Sequence, residues 1–205
     1  MAHNQLEQIK EIRTRTGAGI NTIKEALEYS GGDTEKALLY LREKGLAKAT
    51  KRAGREATNG FIAHYIHGEG NLGVLVELNS ETDFASRNEL FRQLAYNIAL
   101  HIAANAPEYI AIEDIPSEVI NKEEEIARSS IEGKKPEEII NKITQGRMDK
   151  FYQETVLLEQ AYVKDESKKI KDLINDAIAA IGEKVEVGRF CRFKINASAN
   201  SCRVS

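Results

Sequence analysis

The side chains most open to a chemical role are Glu81, Thr82, Asp83 and Phe84, which place two carboxylates, a hydroxyl and an aromatic ring in consecutive positions. A carboxylate beside a ring suits insertion into another molecule better than bond making, because buried aromatic groups dominate protein–protein contacts. The segment lies between two elements able to hold it still. Before it, Val74, Val76 and Leu78 fall on one face at period two, which predicts a strand. After it, Ser86-Arg87-Asn88-Glu89 has the S-x-x-E spacing of a capping box, followed by Leu90, Leu94, Ile98 and Ile102 at every fourth position, with Phe91 and Ala95 widening the stripe. A quieter reading stands beside this one. Phe84 precedes the expected cap by two residues and can fold back on the first helical turn as a staple, and Asp83 can act as a spare cap or a favourable charge near the positive helix end.

Other clusters are weaker. His64 and His67 are three apart on a strand-like run, which puts them on opposite faces, and no cysteine or carboxylate completes a metal site. His101 falls in the amphipathic helix as a packed or surface residue. Thr16-Gly17-Ala18-Gly19 is glycine-rich and opens a helix, but it lacks the Gly-Lys-Ser/Thr ending and the preceding strand of a phosphate loop, so it reads as a turn. Glu123-Glu124-Glu125 and Glu137-Glu138 read as solvated helix faces. No serine, cysteine or lysine has a recognisable base motif beside it, so the sequence offers nothing for an enzyme.

The 205 residues suffice for one medium domain plus a small one. With 41% hydrophobic and 30% charged residues, the composition is that of a globular chain. No apolar run nears the roughly 18–20 residues that cross a bilayer, and there is no signal-peptide core. A net charge of −3 does not imply a general polyanion-binding surface, and two cysteines, Cys191 and Cys202, make no disulfide framework. The expected location is the cytosol.

Periodicity and punctuation give the organisation. Residues 1–45 read as three short helices: Leu6, Ile9 and Ile12 mark the first, Ile20, Ile23 and Leu27 the second, and Ala37, Leu38 and Leu41 the third, which Asp33 caps and Gly45 ends. Residues 46–56 form a basic linker containing Lys48, Lys51, Arg52 and Arg55. It is a contact for an acidic partner or nucleic acid on one reading, and a solvated connector on the preferred one. Residues 57–196 form the core, starting with a hairpin turned at His67-Gly68-Glu69-Gly70-Asn71. Pro107 and Pro116 bracket a loop, Ser117 can cap a helix, and Gly133 with Pro136 separates a helical hairpin. A late helix from Ile170 to Ile181 ends at Gly182, and Val185, Val187, Cys191, Phe193 and Ile195 are expected on one face of a last strand. The tail, 197–205, is expected to fray. Early and late strands with helices between them predict an α+β fold with an antiparallel sheet.

Several separated motifs together resemble the elongation factor Ts family, guanine-nucleotide exchange factors of elongation factor Tu. They are Arg13 with Thr16-Gly17-Ala18-Gly19, Lys48 to Arg55, and Gly73 to Phe91 around Thr82-Asp83-Phe84. His101-Ile102-Ala103, Leu157-Leu158-Glu159-Gln160 with Val163-Lys164-Asp165, and Arg189 to Phe193 complete the set, and the likeness spans nearly the whole chain. The resemblance implies an N-terminal module like a ubiquitin-associated domain followed by an α+β core. It implies a partner, GDP-bound elongation factor Tu, whose Mg²⁺ site is disturbed by a wedge comprising Thr82, Asp83, Phe84 and Ala85. It also places Arg13, Ile20, Asn21 and Lys24 where the N-terminal module meets that partner. The metal belongs to the partner, so this chain is expected to bind no metal or cofactor, to catalyse no covalent step, and to contact neither membrane nor nucleic acid. The chain departs from the family at Ala85, where valine is common, and at Ile20-Asn21, where two methionines often stand. It resembles the short form, which implies a homodimer through the C-terminal sheet; Cys191 then lies near its symmetry mate, or is a small core residue. The rival from another class is a binding module, in which the N-terminal bundle grips a helix or a ubiquitin-like surface over an inert core.

Overall fold

The early helices form where the apolar spacing predicts them. In the computed structural model, which describes residues 2–131, 136–196 and 201–204 (with side chains for 5–131 and 136–196), helix α1 spans Ala2–Thr16, α2 Ile20–Tyr29 and α3 Thr34–Arg52. Ile9, Ile12, Ile23, Ala26, Leu27, Ala37 and Leu41 close a small shared core. Asp33 caps α3 as expected, accepting from the Lys36 N–H at 3.0 Å. Gly31 and Gly32 take φ of 63° and 87° at the end of α2, the left-handed conformation that glycine adopts without a Cβ penalty. Helix α3 does not stop at Gly45. It continues through Leu46-Ala47-Lys48-Ala49-Thr50-Lys51-Arg52, mostly good helix formers, so much of the expected linker is helix. Gly45 instead permits close packing, since a Cβ there would lie 3.0 Å from the Ala179 Cβ.

Strands β1 (Asn59–His67) and β2 (Leu72–Ser80) form the expected hairpin, with Gly68 and Gly70 at positive φ in its turn. Val74, Val76 and Leu78 are buried as the alternation requires, and Ser80 ends the run fully buried. Helix α4 (Asp83–Ser86) is a single turn, and α5 spans Glu89–Asn105. The capping box at Ser86 is therefore corrected. Ser86 lies inside α4 and donates to the Asp83 carbonyl at 2.9 Å, while Asn88 caps α5 by accepting from the Leu90 N–H at 2.9 Å. Helices α6 (Ser117–Ser129) and α7 (Glu137–Thr155) make the helical hairpin; Pro116 and Pro136 occupy their cap positions, and Gly133 lies outside the described residues. The short strands β3 (Ala161–Tyr162) and β4 (Asp165–Lys169) form a small antiparallel pair that no sequence pattern marked. Helix α8 (Ile170–Ile181) ends before Gly182 at φ 83°, as predicted.

Strand β5 (Val185–Lys194) departs from the expected face. Val185 and Val187 are buried, but Phe190 rather than Cys191 continues the core, and Phe193 and Ile195 are exposed. Strand β6 (Ser201–Val204) pairs antiparallel with β5, so the tail is not simply frayed. Cys191 stands opposite Cys202 in that register and is disulfide-bonded, not a core thiol. The larger sheet has the order β1-β2-β5-β6, giving the α+β architecture with an antiparallel sheet.

Two compact units emerge. The first comprises Met1–Ala63, Val76–Asn97 and Lys171–Gly188, and the second His64–Leu75, Ile98–Ile170 and Arg189–Ser205. In the second unit, Ile98, Ile102, Leu157, Ile170 and Phe190 are almost wholly buried. At its centre the buried His101 Nε2 meets Gln160 Oε1 at 2.9 Å, and the Val163 N–H donates to His101 Nδ1 at 3.3 Å. Because Nδ1 accepts, Nε2 carries the proton and the ring is neutral. Burial holds the His101 pKa below the usual histidine value, with the Gln160 bond opposing.

Candidate functional site

In the first unit, the residues Glu81 to Phe84 leave β2 and turn into α4 under restraint from outside the loop. Thr82 is the N-cap of α4; its Oγ accepts from the Ala85 N–H at 3.3 Å and donates to Glu183 Oε1 at 2.8 Å. The Thr82 N–H donates to the other oxygen of Glu183 at 3.0 Å. The buried Ser80 hydroxyl donates to the Thr82 carbonyl at 2.9 Å, and Asn59 Nδ2 donates to the Glu81 carbonyl at 3.0 Å. Backbone polar groups on both sides of the bend thus have partners on other elements.

The Glu81 carboxylate points back into the unit and collects three donors. Oε1 accepts from the Lys184 N–H and from Arg52 Nη1, both at 2.7 Å, and Oε2 accepts from Arg55 Nη1 at 2.9 Å. The Lys184 backbone bond, helped by Arg55 and Arg52, lowers the Glu81 pKa to about 2, against the opposing effect of burial. Lys184 Nζ in turn donates to the Arg55 carbonyl at 2.9 Å. Arg52 and Arg55 are therefore internal partners of this loop, which corrects the preferred reading of their segment as a solvated connector.

The tip is different. Phe84 is 81% exposed, which removes the staple reading. Asp83 is exposed, and its carboxylate pairs with Arg87 Nη2, four residues on, at 2.8 Å. Ala85 points the other way and is 1% exposed, so it belongs to the core beneath the loop and not to the surface shared by Thr82, Asp83 and Phe84. On the N-terminal helices, Arg13, Ile20, Asn21 and Lys24 are all exposed, with Ile20 and Lys24 one turn apart on α2. Between these helices and the loop, the Thr16–Gly19 turn meets the start of α5. Gly17, at φ 67°, is so close that a Cβ there would lie 2.7 Å from the Leu90 side chain.

Sequence reasoning found the tip and missed its supports. Glu183 and Lys184 lie more than a hundred residues from the loop, and nothing in their spacing points to Thr82 or Glu81. It also named His101 and Gln160 only as parts of separate motifs, though they share one buried hydrogen bond. Among the described residues no group of three His, Cys, Asp or Glu side chains is arranged to hold a metal ion. No helix among the described residues is long and apolar enough to cross a membrane.

The geometry is that of an exposed aromatic on a braced loop beside a small helical module. Residues 35–197 match the family model of elongation factor Ts. The elongation factor Ts of Coprothermobacter proteolyticus is 55% identical over 188 residues, covering 91% of this chain and 95% of the relative. That of Thermodesulfovibrio yellowstonii is 53% identical over 189 residues, covering 92% and 94%, and that of Moorella thermoacetica 51% identical over 188, covering 91% and 93%. The chain belongs to the elongation factor Ts family, a family of translation elongation factors.

Proposed function

We propose that this chain promotes GDP release from elongation factor Tu, acting in the cytoplasm without catalysing a covalent step. Asp83 and Phe84 enter the partner's nucleotide-binding domain and disturb its Mg²⁺ site, while Arg13, Ile20, Asn21 and Lys24 hold the partner from the N-terminal module. The observation that carries this reading is the 81% exposure of Phe84 on a loop whose base is hydrogen-bonded to distant elements. An exposed phenylalanine forgoes roughly 1.5–3 kcal/mol of burial, which docking recovers.

The energetics set the scale. Coupling is reciprocal, so what the factor takes from GDP affinity, GDP takes from factor affinity. Each tenfold weakening corresponds to about 1.4 kcal/mol, so several decades require about 4–7 kcal/mol of differential binding. A buried aromatic hot spot contributes about 2–4 kcal/mol of that, and the N-terminal contacts supply the rest. The test is release of fluorescent GDP from elongation factor Tu with the wild type and Phe84→Ala. No acceleration by the wild type sinks the proposal and favours a pure binding module.

Self-association through the C-terminal sheet is a second proposal, favoured by an exposed apolar patch in the second unit. Ile66, Leu75, Phe193 and Ile195 surround a concavity of about 530 Å³. Sedimentation equilibrium should show a dimer that Phe193→Asp converts to a monomer; a monomeric wild type removes this reading.

A further inference from the structure

We propose that Glu81 is the positioning residue of the exchange loop: gripped by Arg52, Arg55 and the Lys184 N–H, it fixes the peptide from which Asp83 and Phe84 project, with Glu183 as a second clasp on Thr82. The inference rests on the exchange reading for what the loop does, and on the geometry alone for how the loop is held. A four-residue helix does not hold its own shape, because one turn fixes several dihedrals for one hydrogen bond. Its orientation must come from outside, and the two carboxylates supply it. Glu81 engages Arg52 at the end of α3, Arg55 just beyond it and the Lys184 N–H just before β5, and Glu183 takes both the N–H and the hydroxyl of Thr82. These are charge-assisted bonds, about twice as strong as neutral ones. The Glu81 side chain is only 18% exposed, so it works from within the unit while the tip it orients meets solvent.

Holding the loop ready before the partner arrives removes an ordering cost from docking. The Glu81 carboxylate is turned into its own unit toward Arg52, Arg55 and the Lys184 N–H, so its loss should act through Phe84. The proposed N-terminal contacts, Arg13, Ile20, Asn21 and Lys24, include none of the residues that hold Glu81. The maximal exchange rate should therefore fall while the concentration giving half that rate moves little.

The experiment uses the full chain carrying Glu81→Gln, with Glu183→Gln as a second variant should the first fail to fold. GDP release is titrated against each factor. We expect the plateau rate to fall about tenfold for Glu81→Gln, equivalent to about 1.4 kcal/mol, with the half-maximal concentration within about threefold of wild type. A merely destabilised chain would instead shift the half-maximal concentration and leave the plateau intact, overturning the proposal. Loop order is read separately from activity. The chain contains no tryptophan, so Phe84→Trp introduces a single reporter at the tip. Its time-resolved anisotropy should show little fast motion, and adding Glu81→Gln or Glu183→Gln should introduce a nanosecond component. Unchanged anisotropy in both variants overturns the positioning role even if exchange is confirmed. Absence of exchange in the wild type defeats the exchange reading, while the anisotropy still decides how the loop is held.

Discussion

Two polar hubs organise this molecule, and they differ in every respect that matters to function. Glu81 in the first unit is charged, partly solvated and surrounded by donors, and the peptide it holds carries an almost bare aromatic tip. His101 in the second unit is neutral, fully buried and bonded to Gln160 and the Val163 N–H. Both join distant segments. The first spends its bonds on orienting a surface loop, the second on specifying a core. A charged hub tolerates partial solvent because its donors are cationic or backbone groups. A buried hub must be neutral, since an unpaired charge there would be far costlier.

The largest expected effect tests whether the tip is separate from the fold. Phe84→Ala should reduce GDP release from elongation factor Tu about hundredfold, roughly 2.7 kcal/mol. Its melting temperature should stay within about a degree of wild type, because surface substitutions usually change stability little. A large fall in melting temperature would mean that the ring packs in solution, and the contrast between tip and core would be lost.

The converse applies to the second hub. His101→Ala should destabilise the chain by about 2–4 kcal/mol, combining a cavity with an unsatisfied Gln160. Exchange per folded molecule should remain near wild type, as measured by denaturant unfolding alongside the GDP assay.

Acid separates the hubs further. The folded-state pKa of His101 lies below its unfolded value of 6.5, so its contribution is complete above about that pH. It is lost as pH falls toward the depressed folded value, because the unfolded chain takes the proton first. Wild-type stability should therefore decline as pH falls below about 6.5, and His101→Gln should flatten that decline. Glu81 is depressed from 4.5 to about 2, so its contribution is full above 4.5 and is lost as pH falls through about 2. Asp33 and Asp165 also have lowered pKa values, so only the difference between wild type and Glu81→Gln isolates the Glu81 leg.

The smallest effect concerns Arg55, whose side chain is more than half exposed. Arg55→Ala should cost under about 1 kcal/mol of stability, as exposed ion pairs do. It should lower the exchange plateau less than Glu81→Gln, because Arg52 and the Lys184 N–H remain.

Much of the fold was legible because local rules and tertiary packing agreed. The N-terminal helices, the first hairpin, α8 and its glycine stop all follow from apolar spacing and turn residues. Reading failed where a tertiary contact overrode a local signal. Gly45 has the sequence character of a stop but serves close approach to Ala179 within a continuing helix. Ser86 has the spacing of a cap, yet Thr82 and Asn88 take the capping roles because a separate turn forms between them. Along β5 the buried face passes from Val187 to Phe190, so Cys191 leaves the core position that strict alternation assigned to it.

By itself the sequence determined most of the longer helices and the first hairpin, the family, and the four residues of the loop, because these rest on side-chain type and spacing over short stretches. Only the tertiary structure decided that Phe84 stands out while Ala85 turns in, and that Glu81 and Glu183 brace the bend. It alone joined His101 to Gln160. Such pairings span tens to more than a hundred residues, and no local periodicity records which distant partner a polar group will meet.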